Sequence, residues 1–458
     1  MQHPPVTGMH VGGASRRLVR LLPALLLVAA STGCLTLFRN PYFTDASPAA
    51  ERLNFATSDS SPAPVVTYGT SPGCTGSSVT ATLVAPITVG SRTEYQWNAR
   101  LAGLSANTSY CYDVAQGGTD ALDGSRYAFT TPRAAGDNAP FSFAVIGDWG
   151  GGGTDETNVL SQVRASGADF VVTVGDNVYN SGTQTEYGDV DSGNVFAQTY
   201  WPRGQKMPWF VAQGNHGFSQ NLPFLQNFPE TSTAAASGGR FQQDAYCCLG
   251  VMPENITYAS AWYAFDWAGA RFYVLEAAWS DSHGGYQGDF QAHWNGPVSG
   301  CPACGTELSW LKADLAAHAG TSLKFAFFHY PLHSDNSGQP SDTYLTGANG
   351  LEGLLATNGV DVVFNGHAHI YERNTPQISG RSMVSYVTGG GGAALGAVSS
   401  CSSFDAYAIG SSSSCRAPKP SSPSNVFHFL KVNVAGSQVT VTPTDENGNH
   451  FDTQTYGF

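Results

Sequence analysis

Two different patterns of hydrophobic and polar positions divide the chain near residue 140. Residues 40–133 consist of short alternating runs that Gly, Pro, Ser and Asn interrupt, and the clearest runs are PVVTYG, EYQWNARL, SYCYDV and RYAFTTP. Alternation with a period of two places successive side chains on opposite faces of a strand. Because no helical period occurs in this part of the sequence, the pattern predicts a small all-β sandwich, followed by a linker at residues 132–140.

From Phe141 onward, apolar runs alternate with segments of helical period. The predicted helices lie near residues 154–166, in ELSWLKADLAAHA, and in GLEGLLATNG, which ends at Gly359. This alternation predicts a second domain, residues 141–458, of the α/β class, in which helices cover a sheet. The last alternating run, residues 426–445, is interrupted at Gly436 and predicts a hairpin that closes the sheet.

Composition and charge narrow the class of protein. The chain has 458 residues, of which 41% are hydrophobic and 12% are charged, and its net charge is −13. This length predicts two or three domains with sizeable cores. A negative chain repels a nucleic-acid backbone, so no nucleic-acid-binding surface is expected. A small anionic substrate stays compatible with this charge, because bound metal cations would set the local field.

The first 34 residues predict an export signal. Arginines within residues 16–20 form a basic segment, and Leu21 to Ala30 form an apolar core that is too short to span a membrane. Two interpretations stay open, because SRRLVR partly matches a twin-arginine signal and STGC, ending at Cys34, resembles a lipoprotein cleavage box. The predicted location is therefore secreted, periplasmic or lipid-anchored at the cell surface, with membrane contact only through a lipid on Cys34.

The cysteine count agrees with export. Nine cysteines are present, and removing Cys34 leaves an even number, which in an exported chain predicts disulfides. Proximity in the sequence favours two pairs, Cys74–Cys111 and Cys401–Cys415. The CPAC stretch at residues 301–304 has no second CxxC and predicts a structural bridge, whereas the adjacent cysteines at 247–248 cannot be assigned.

Five apolar runs of the second domain end in residues that can bind a metal. In open α/β sheets, ligands bind beyond the carboxyl ends of the strands. Ordinary turn chemistry would give a mixture of Ser, Thr, Asn and Lys at these ends, whereas Asp, Asn, His and Tyr occur here. The sequence therefore predicts a metal cluster, and the residues at or just after the run ends are Asp148, Asp176, Tyr179, Asn215, His216, His329, His367 and His369.

This series resembles the metallophosphoesterases, and within them the purple acid phosphatases. The family pattern GDxG, GDxxY, GNH, a single His after a strand and GHxH occurs in that order within residues 141–375. Each motif is weak alone, but all five in order form a specific signature. Tyr179 is the most discriminating position, because general metallophosphoesterases usually lack it. The resemblance implies a metallophosphoesterase β-sandwich flanked by helices. The N-terminal domain resembles a fibronectin type III module, on the evidence of LAGLSANTSYCYDV followed by YAFTTP.

The resemblance implies a site with two metals. One ion, by analogy Fe³⁺, would be held by Asp148, Tyr179 and His369. A second, divalent ion (Fe²⁺, Zn²⁺ or Mn²⁺) would be held by Asn215, His329 and His367, and Asp176 would bridge the two. The residue types agree, because carboxylate and phenolate oxygens suit a hard ferric ion and imidazole suits a borderline divalent one. Two such ions can clamp a phosphate and acidify a water molecule for in-line attack on phosphorus.

The reaction also needs a group that protonates the departing alcohol. His216 is the first candidate for this role, and His333, four residues after His329, is the second. Gly217 stands where family members commonly carry Asp or Glu. The sequence therefore lacks, at that position, the carboxylate that could orient His216 through a hydrogen bond to its ring.

Three functions fit these features to different degrees. The first is an exported dinuclear-metal acid phosphatase that hydrolyses small phosphate monoesters, of the purple acid type. The alternative is a phosphodiesterase or nucleotide hydrolase that uses two divalent metals on the same scaffold, since substrate choice lies in loops such as 180–200 and 217–260. A surface-binding protein without catalysis is disfavoured, because all seven ligand positions are filled.

Overall fold

The computed structural model describes residues 35–70, 73–216, 226–230, 240–241, 256–257, 262–276, 306–342, 345–399, 401, 405–412, 414–415 and 426–458. The predicted export signal, Gly217 and the cysteines at positions 34, 247, 248, 301 and 304 lie outside these ranges. Among the described residues, no helix has both the length and the apolar character needed to cross a bilayer.

The described residues between 35 and 133 form strands and no helix. They are β1 (Leu37–Ser47), β2 (Ala50–Thr57), β3 (Val65–Gly69), β4 (Ser77–Thr80), β5 (Thr82–Val89), β6 (Arg92–Ala102), β7 (Ser109–Gln116), β8 (Thr119–Asp120) and β9 (Tyr127–Thr130). One sheet has the order β1-β2-β6-β5, and the other has the order β4-β3-β7-β8 with β9 beside β7. Phe55, Trp97 and Tyr112 pack in a shared core. This confirms the predicted all-β sandwich, here named the N-terminal β domain.

The rest of the chain adds strands that belong mainly to two larger sheets. These strands are β10 (Phe141–Ile146), β11 (Phe170–Thr173), β12 (Trp209–Val211), β13 (Arg240–Phe241), β14 (Ile256–Thr257), β15 (Tyr263–Trp267), β16 (Ala270–Val274), β17 (Leu323–Phe327), β18 (Val362–Asn365), β19 (Tyr371–Asn374), β20 (Gln377–Ile378), β21 (Arg381–Ser382), β22 (Val384–Thr388), β23 (Asp405–Ile409), β24 (Ser414–Cys415), β25 (His428–Ala435), β26 (Gln438–Asp445) and β27 (Gln454–Gly457). The described helices are α1 (Thr154–Ala165), α2 (Gln184–Tyr187), α3 (Thr306–Ala317) and α4 (Leu351–Thr357).

These two large sheets pack face to face. The first has the order β12-β11-β10-β25-β26-β27, and the second has the order β15-β16-β17-β18-β22-β19-β23-β24. Their inner faces meet in one cluster that includes Phe143 and Phe170 from the first sheet and Phe272, Phe325 and Phe364 from the second. Burial of apolar surface between the sheets is the main force that holds them together.

Helices cover the outer faces of this sandwich. Val159, Leu160 and Val163 of α1 follow the helical period and pack in one cluster with strand residues of the first sheet. Leu311 of α3 and Leu355 of α4 pack in another cluster with strand residues of the second sheet. The α/β class and the flanked β-sandwich are therefore both confirmed.

The C-terminal hairpin differs in one respect from its prediction. Strands β25 and β26 pair around a turn at Gly436, whose φ is +63°. The hairpin does not close the sheet, however, because β25 lies between β10 and β26 and the short strand β27 forms the edge. The sequence of β27, QTYG, has almost no apolar alternation, so its hydrophobic pattern gave no signal for this extra strand.

Both disulfides that sequence proximity favoured are present. Cys74 and Cys111 lie 5.1 Å apart between their Cα atoms and join two segments of the N-terminal β domain. Cys401 and Cys415 lie 5.8 Å apart between their Cα atoms, and the second of them ends strand β24. Both separations fall within the usual range for a disulfide.

Strand β1 joins the N-terminal β domain to the large sandwich. Its polar residues Arg39, Asn40 and Thr44 are fully buried. Asn40 donates to the carbonyl oxygen of Trp201 at 2.9 Å, and Thr44 donates to that of Pro229 at 2.7 Å. Buried polar groups must be hydrogen-bonded, so the two domains are held by directed bonds as well as by apolar contact.

Replacing Phe143 by alanine tests the central core. The Phe143 ring is fully buried, and its centroid lies 5.3 Å from Phe170, 5.3 Å from Phe272 and 5.4 Å from Phe325. Phe143→Ala should therefore lower the free energy of unfolding by about 3–5 kcal/mol, the usual loss for a buried Phe. Urea unfolding followed by tryptophan fluorescence measures it. Phe458→Ala, at a ring that is 37% exposed, is the control, and a comparable loss in the two variants would contradict this description of the core.

Candidate metal centre

The predicted ligands follow parallel strands of both large sheets. Strands β10, β11 and β12 run parallel in the first sheet, and β17 and β18 run parallel in the second. Carboxyl ends of parallel strands meet at the same edge of a sheet. The seven side chains lie just beyond these ends: Asp148 after β10, Asp176 and Tyr179 after β11, Asn215 after β12, His329 after β17, and His367 and His369 after β18.

Three of these side chains form one group. The phenol oxygen of Tyr179 lies 3.1 Å from Oδ1 of Asp148 and 3.2 Å from Nε2 of His369. Nε2 of His369 also lies 3.2 Å from Oδ1 of Asp148. Three donor atoms from three different strand ends thus lie close enough together to bind one metal ion.

A second group contains the amide of Asn215 and two imidazoles. Oδ1 of Asn215 lies 2.8 Å from Nε2 of His329 and 2.9 Å from Nδ1 of His367. The rings of His329 and His367 meet edge to face at a centroid distance of 5.1 Å. This group joins a ligand of the first sheet to two ligands of the second.

Asp176 lies between the two groups. A carboxylate oxygen of Asp176, one of Asp148 and a ring nitrogen of His329 all lie within 4.8 Å of one another. Oδ1 of Asp176 is 3.4 Å from Nε2 of His329 and accepts a hydrogen bond from the backbone N–H of His216 at 2.8 Å. A carboxylate in this position can contact ions held by either group.

The backbone at these strand ends turns sharply to aim the ligands. Asp148, Asp176 and His367 have φ values of +56°, +47° and +65°, a region that non-glycine residues seldom occupy. Such conformations concentrate at functional sites, where the surrounding structure holds them. Gly214 allows the segment after β12 to approach the turn at Asp176 closely, because a Cβ there would collide with the carboxylate and backbone of Asp176.

Backbone carbonyl groups orient three of the imidazoles. Nδ1 of His329 lies 2.9 Å from the carbonyl oxygen of Val174, and Nδ1 of His369 lies 2.8 Å from that of Ala394. Nδ1 of His216 lies 2.8 Å from the carbonyl oxygen of Asn180. A carbonyl oxygen only accepts hydrogen bonds, so each Nδ1 must carry the proton, and Nε2 is the atom left for a metal or for proton transfer.

The carbonyl oxygen of Asn180 orients His216 although position 217 carries no carboxylate. The sequence lacks a carboxylate at position 217, where it could orient His216, and the structure supplies a carbonyl oxygen to the same imidazole instead. No sequence pattern could have identified Asn180, Val174 or Ala394 in this role, because every residue has a carbonyl group. These carbonyl groups contact the imidazoles only because the folded chain brings their segments to the same strand ends.

Electrostatics at the site favour positive charge. Burial opposes ionisation of Asp176, but the charge and hydrogen bond of His329, together with the charges of His216 and His367, lower the pKa of Asp176 to about 2. Burial alone would lower the pKa of His329, whereas the carboxylate of Asp176, with smaller contributions from Asp148 and the carbonyl of Val174, raises it to about 9. Burial and then the charge of Asp148 raise the pKa of the Tyr179 phenol well above its usual value. A phenolate at this position therefore needs a strong cation beside it.

These residues fit a pair of metal ions. Asp148 and Asp176 are 0% and 1% exposed, and the described residues supply only histidines, no Lys or Arg, as ion-pair partners for them. A buried carboxylate is stable only when an opposite charge or a metal compensates it. Tyr179, Asn215, His216 and His369 are only half-buried, so the site is more open on their side than at the carboxylates.

The two histidines that sequence analysis proposed as proton donors differ in their surroundings. The ring of His216 lies beside the ring of Tyr179, with centroids 4.5 Å apart, so it borders the first group. Nε2 of His333 lies 2.7 Å from Oε1 of Glu352, which is fully buried. The second candidate therefore has that nitrogen engaged by a carboxylate, whereas His216 is held through Nδ1.

A glycine-rich segment, residues 389–394, completes the wall of the site. Gly391 donates to the carbonyl oxygen of Gly147 at 2.9 Å, and Ala393 donates to that of Asp148 at 2.9 Å. The segment also contributes the carbonyl of Ala394 that holds His369. It forms a backbone bend beside the predicted ligands.

Comparison with solved structures supports the fold. A purple acid phosphatase from seeds of yellow lupin (Lupinus luteus) superposes with a TM-score of 0.62 at 16% sequence identity, covering 91% of this chain and 74% of that one. At this identity the likeness concerns the fold alone.

Relatives found by sequence comparison are also named purple acid phosphatases. Purple acid phosphatase 22 of Arabidopsis thaliana is 28% identical over 338 residues, which is 70% of this chain and 63% of the relative. Purple acid phosphatase 18 of the same plant is 26% identical over 344 residues, which is 72% of this chain and 65% of the relative. The chain thus spans slightly less than two thirds of the length of these relatives.

Two family profiles match consecutive parts of the chain. The profile described as "Calcineurin-like phosphoesterase" matches residues 141–371, just over half of the chain. The profile described as "Purple acid Phosphatase, N-terminal domain" matches residues 40–131. The chain therefore belongs to the calcineurin-like phosphoesterase family, in the purple acid phosphatase group that carries this N-terminal domain.

Proposed function

We propose that this protein is an exported dinuclear-metal phosphatase of the purple acid type, which hydrolyses small phosphate monoesters. The observation that carries the proposal is the position of Tyr179, whose phenol oxygen lies 3.1 Å from Asp148 and 3.2 Å from His369. A phenolate in contact with a carboxylate and an imidazole suits a hard trivalent ion better than a divalent one. Export is supported by the N-terminal signal-like segment and by the two disulfides.

The proposed ligand sets follow the two groups of donors. Asp148, Tyr179 and His369 would hold Fe³⁺, and Asn215, His329 and His367 would hold Fe²⁺, Zn²⁺ or Mn²⁺. Asp176 would contact both ions. When bound, such a pair supplies positive charge that polarises the phosphate ester and lowers the pKa of a water molecule that attacks phosphorus.

The protein's own contribution to bond cleavage is a proton. As the bond between phosphorus and the leaving oxygen breaks, that oxygen takes a proton from Nε2 of His216. The hydrogen bond from Nδ1 to the carbonyl oxygen of Asn180 is kept throughout, so the ring passes from the doubly protonated cation to the neutral form with its proton on Nδ1. His333 is the second candidate for the same role. It ranks below His216 because its Nε2 already contacts the carboxylate of Glu352.

Tyr179→Phe tests the nature of the first ion. A phenolate bound to Fe³⁺ gives a charge-transfer band in the visible spectrum, whereas a zinc or manganese pair gives none. We expect the purified protein to be purple or pink, and Tyr179→Phe to be nearly colourless with part of its activity retained. The control is Tyr110→Phe, whose hydroxyl accepts a bond from Ser105 in the N-terminal β domain and which should keep the colour. Colourless wild-type protein that is fully loaded with metal but lacks iron would favour a divalent phosphodiesterase instead.

Asp176→Ala tests the bridging assignment. Because only this carboxylate would contact both ions, its loss should leave at most one metal per chain after dialysis. Elemental analysis measures the metal content. Asp123→Ala removes the same charge at a carboxylate that is 76% exposed and paired with Arg203, so it should leave the metal content unchanged. Retention of both metals in Asp176→Ala would refute the assignment.

His216→Ala tests the proton donor. Turnover of an alkyl phosphate should fall by about 10²–10⁴-fold, the usual size of general acid–base assistance, with the metal content preserved. The loss should shrink for 4-nitrophenyl phosphate, because its good leaving group needs little protonation. His318→Ala, at a histidine on Asp314 outside the site, is the matched control. Equal losses for both substrates would exclude His216, and His333→Ala would then be measured in the same way.

A further inference from the structure

One cation of the N-terminal β domain, Arg39, contacts a segment of the large sandwich that leads to the proposed site. Arg39, on β1, is fully buried. Its Nε donates to the carbonyl oxygen of Gly188 at 2.9 Å, and its Nη2 donates to Oε1 of Gln184 at 2.9 Å. The guanidinium also lies over the ring of Phe196, 4.5 Å from the centroid. A planar guanidinium with several directed bonds fixes its partners geometrically, which an apolar contact does not.

Gln184 and Gly188 belong to one compact segment, residues 180–188, here named the 180–188 loop. It includes the four-residue helix α2, which Thr183 and Glu186 cap reciprocally. The carboxylate of Glu186 accepts backbone hydrogen bonds from Asn180 at 2.9 Å and from Thr183 at 2.8 Å. The start of the loop is therefore tied to its helix, and the helix is tied to Arg39.

The start of the loop is also the part that holds His216. The carbonyl oxygen of Asn180 lies 2.8 Å from Nδ1 of His216, and the N–H of the same residue donates to Glu186. Displacement of the loop would therefore move the only group that the described structure offers to this Nδ1. Hydrogen bonds lead from Arg39 to Gln184, the backbone of α2 joins Gln184 to Glu186, and hydrogen bonds lead on through Asn180 to the imidazole.

We propose that Arg39 is a positioning residue for His216. Through the 180–188 loop, this residue of the N-terminal β domain fixes the orientation of the imidazole and keeps its proton on Nδ1. The inference rests on the proposed function, in which Nε2 of His216 protonates the leaving oxygen. It gives the N-terminal β domain a part in proton transfer, although that domain contributes no residue to the metal ligands.

The experiment compares Arg39→Met with wild-type protein on two substrates. Turnover of an alkyl phosphate should fall about tenfold, because a small misplacement of a catalytic group has effects of this order, and that of 4-nitrophenyl phosphate should change less than about twofold. Metal per chain should stay constant. Arg100→Met is the matched control, because Arg100 lies in the same domain, binds Asp45 and has no recorded bond to the 180–188 loop. Equal losses on both substrates, or losses that follow the metal content, would overturn the proposal.

A second pair of variants covers the case in which Arg39→Met does not fold. Gln184→Ala removes the acceptor of Arg39 on the other side of the contact and should reproduce the selective loss. Gln184→Glu keeps an acceptor oxygen for Arg39 and should restore wild-type turnover of the alkyl phosphate. A Gln184→Ala variant with wild-type turnover of both substrates would contradict the connection through the loop.

A readout that does not depend on activity separates this proposal from the proposed function. Nitrogen-15 spectra of the histidines in zinc-loaded protein should show His216 with its proton on Nδ1 in the wild type and mixed tautomers in Arg39→Met or Gln184→Ala. An unchanged His216 signal would refute the positioning role. If the signal changes but His216→Ala shows no dependence on the leaving group, the proton-donor assignment fails and the coupling stands.

Two substitutions combined give a last check. In the double variant Arg39→Met, His216→Ala, the first substitution should have no further effect on turnover of the alkyl phosphate, because it acts through a side chain that is no longer present. Additive losses would show that Arg39 acts by another route.

Discussion

Two carboxylates with almost no solvent contact, Asp148 and Asp176, lie where the parallel strands of both large sheets end. Buried negative charge is costly unless a cation or several hydrogen bonds compensate it, and here the protein supplies imidazoles and backbone N–H groups. The remaining features of the site help to place positive charge beside these two carboxylates. The turns with positive φ aim the carboxylates inward, Gly214 lets two segments approach each other, and the donor atoms are of the types that bind positive ions.

The protein orients its histidines with backbone rather than with acidic side chains. Carbonyl oxygens of Val174, Asn180 and Ala394 hold three imidazoles through Nδ1. A carbonyl fixes the tautomer as a carboxylate would, but it adds no negative charge to a region that already buries two. This solution depends on three loops that return to the same edge, so the accuracy of the site is a property of the folded backbone.

The junction between the domains belongs to the same system of constraints. Strand β1 buries Arg39 against the 180–188 loop, and that loop holds the carbonyl of Asn180 beside His216. Because Arg39 is fully buried and donates to this loop, displacement of the loop would leave its guanidinium without hydrogen-bond partners there. The N-terminal β domain is thus connected, through the 180–188 loop, to the side chain proposed to move the proton.

The sequence by itself determined the two kinds of domain, the helices over the sheet and the positions of the metal-competent residues. Hydrophobic periodicity and the order of short motifs are local properties, and both can be read along the chain. Only the tertiary structure decided which sheet each ligand comes from, which carbonyl faces each imidazole, and where Arg39 lies. These depend on contacts between residues far apart in the chain, such as Asn180 and His216, whose sequence separation is 36. The edge strand β27 was missed for a related reason, because its pairing with β26 defines it and its composition does not.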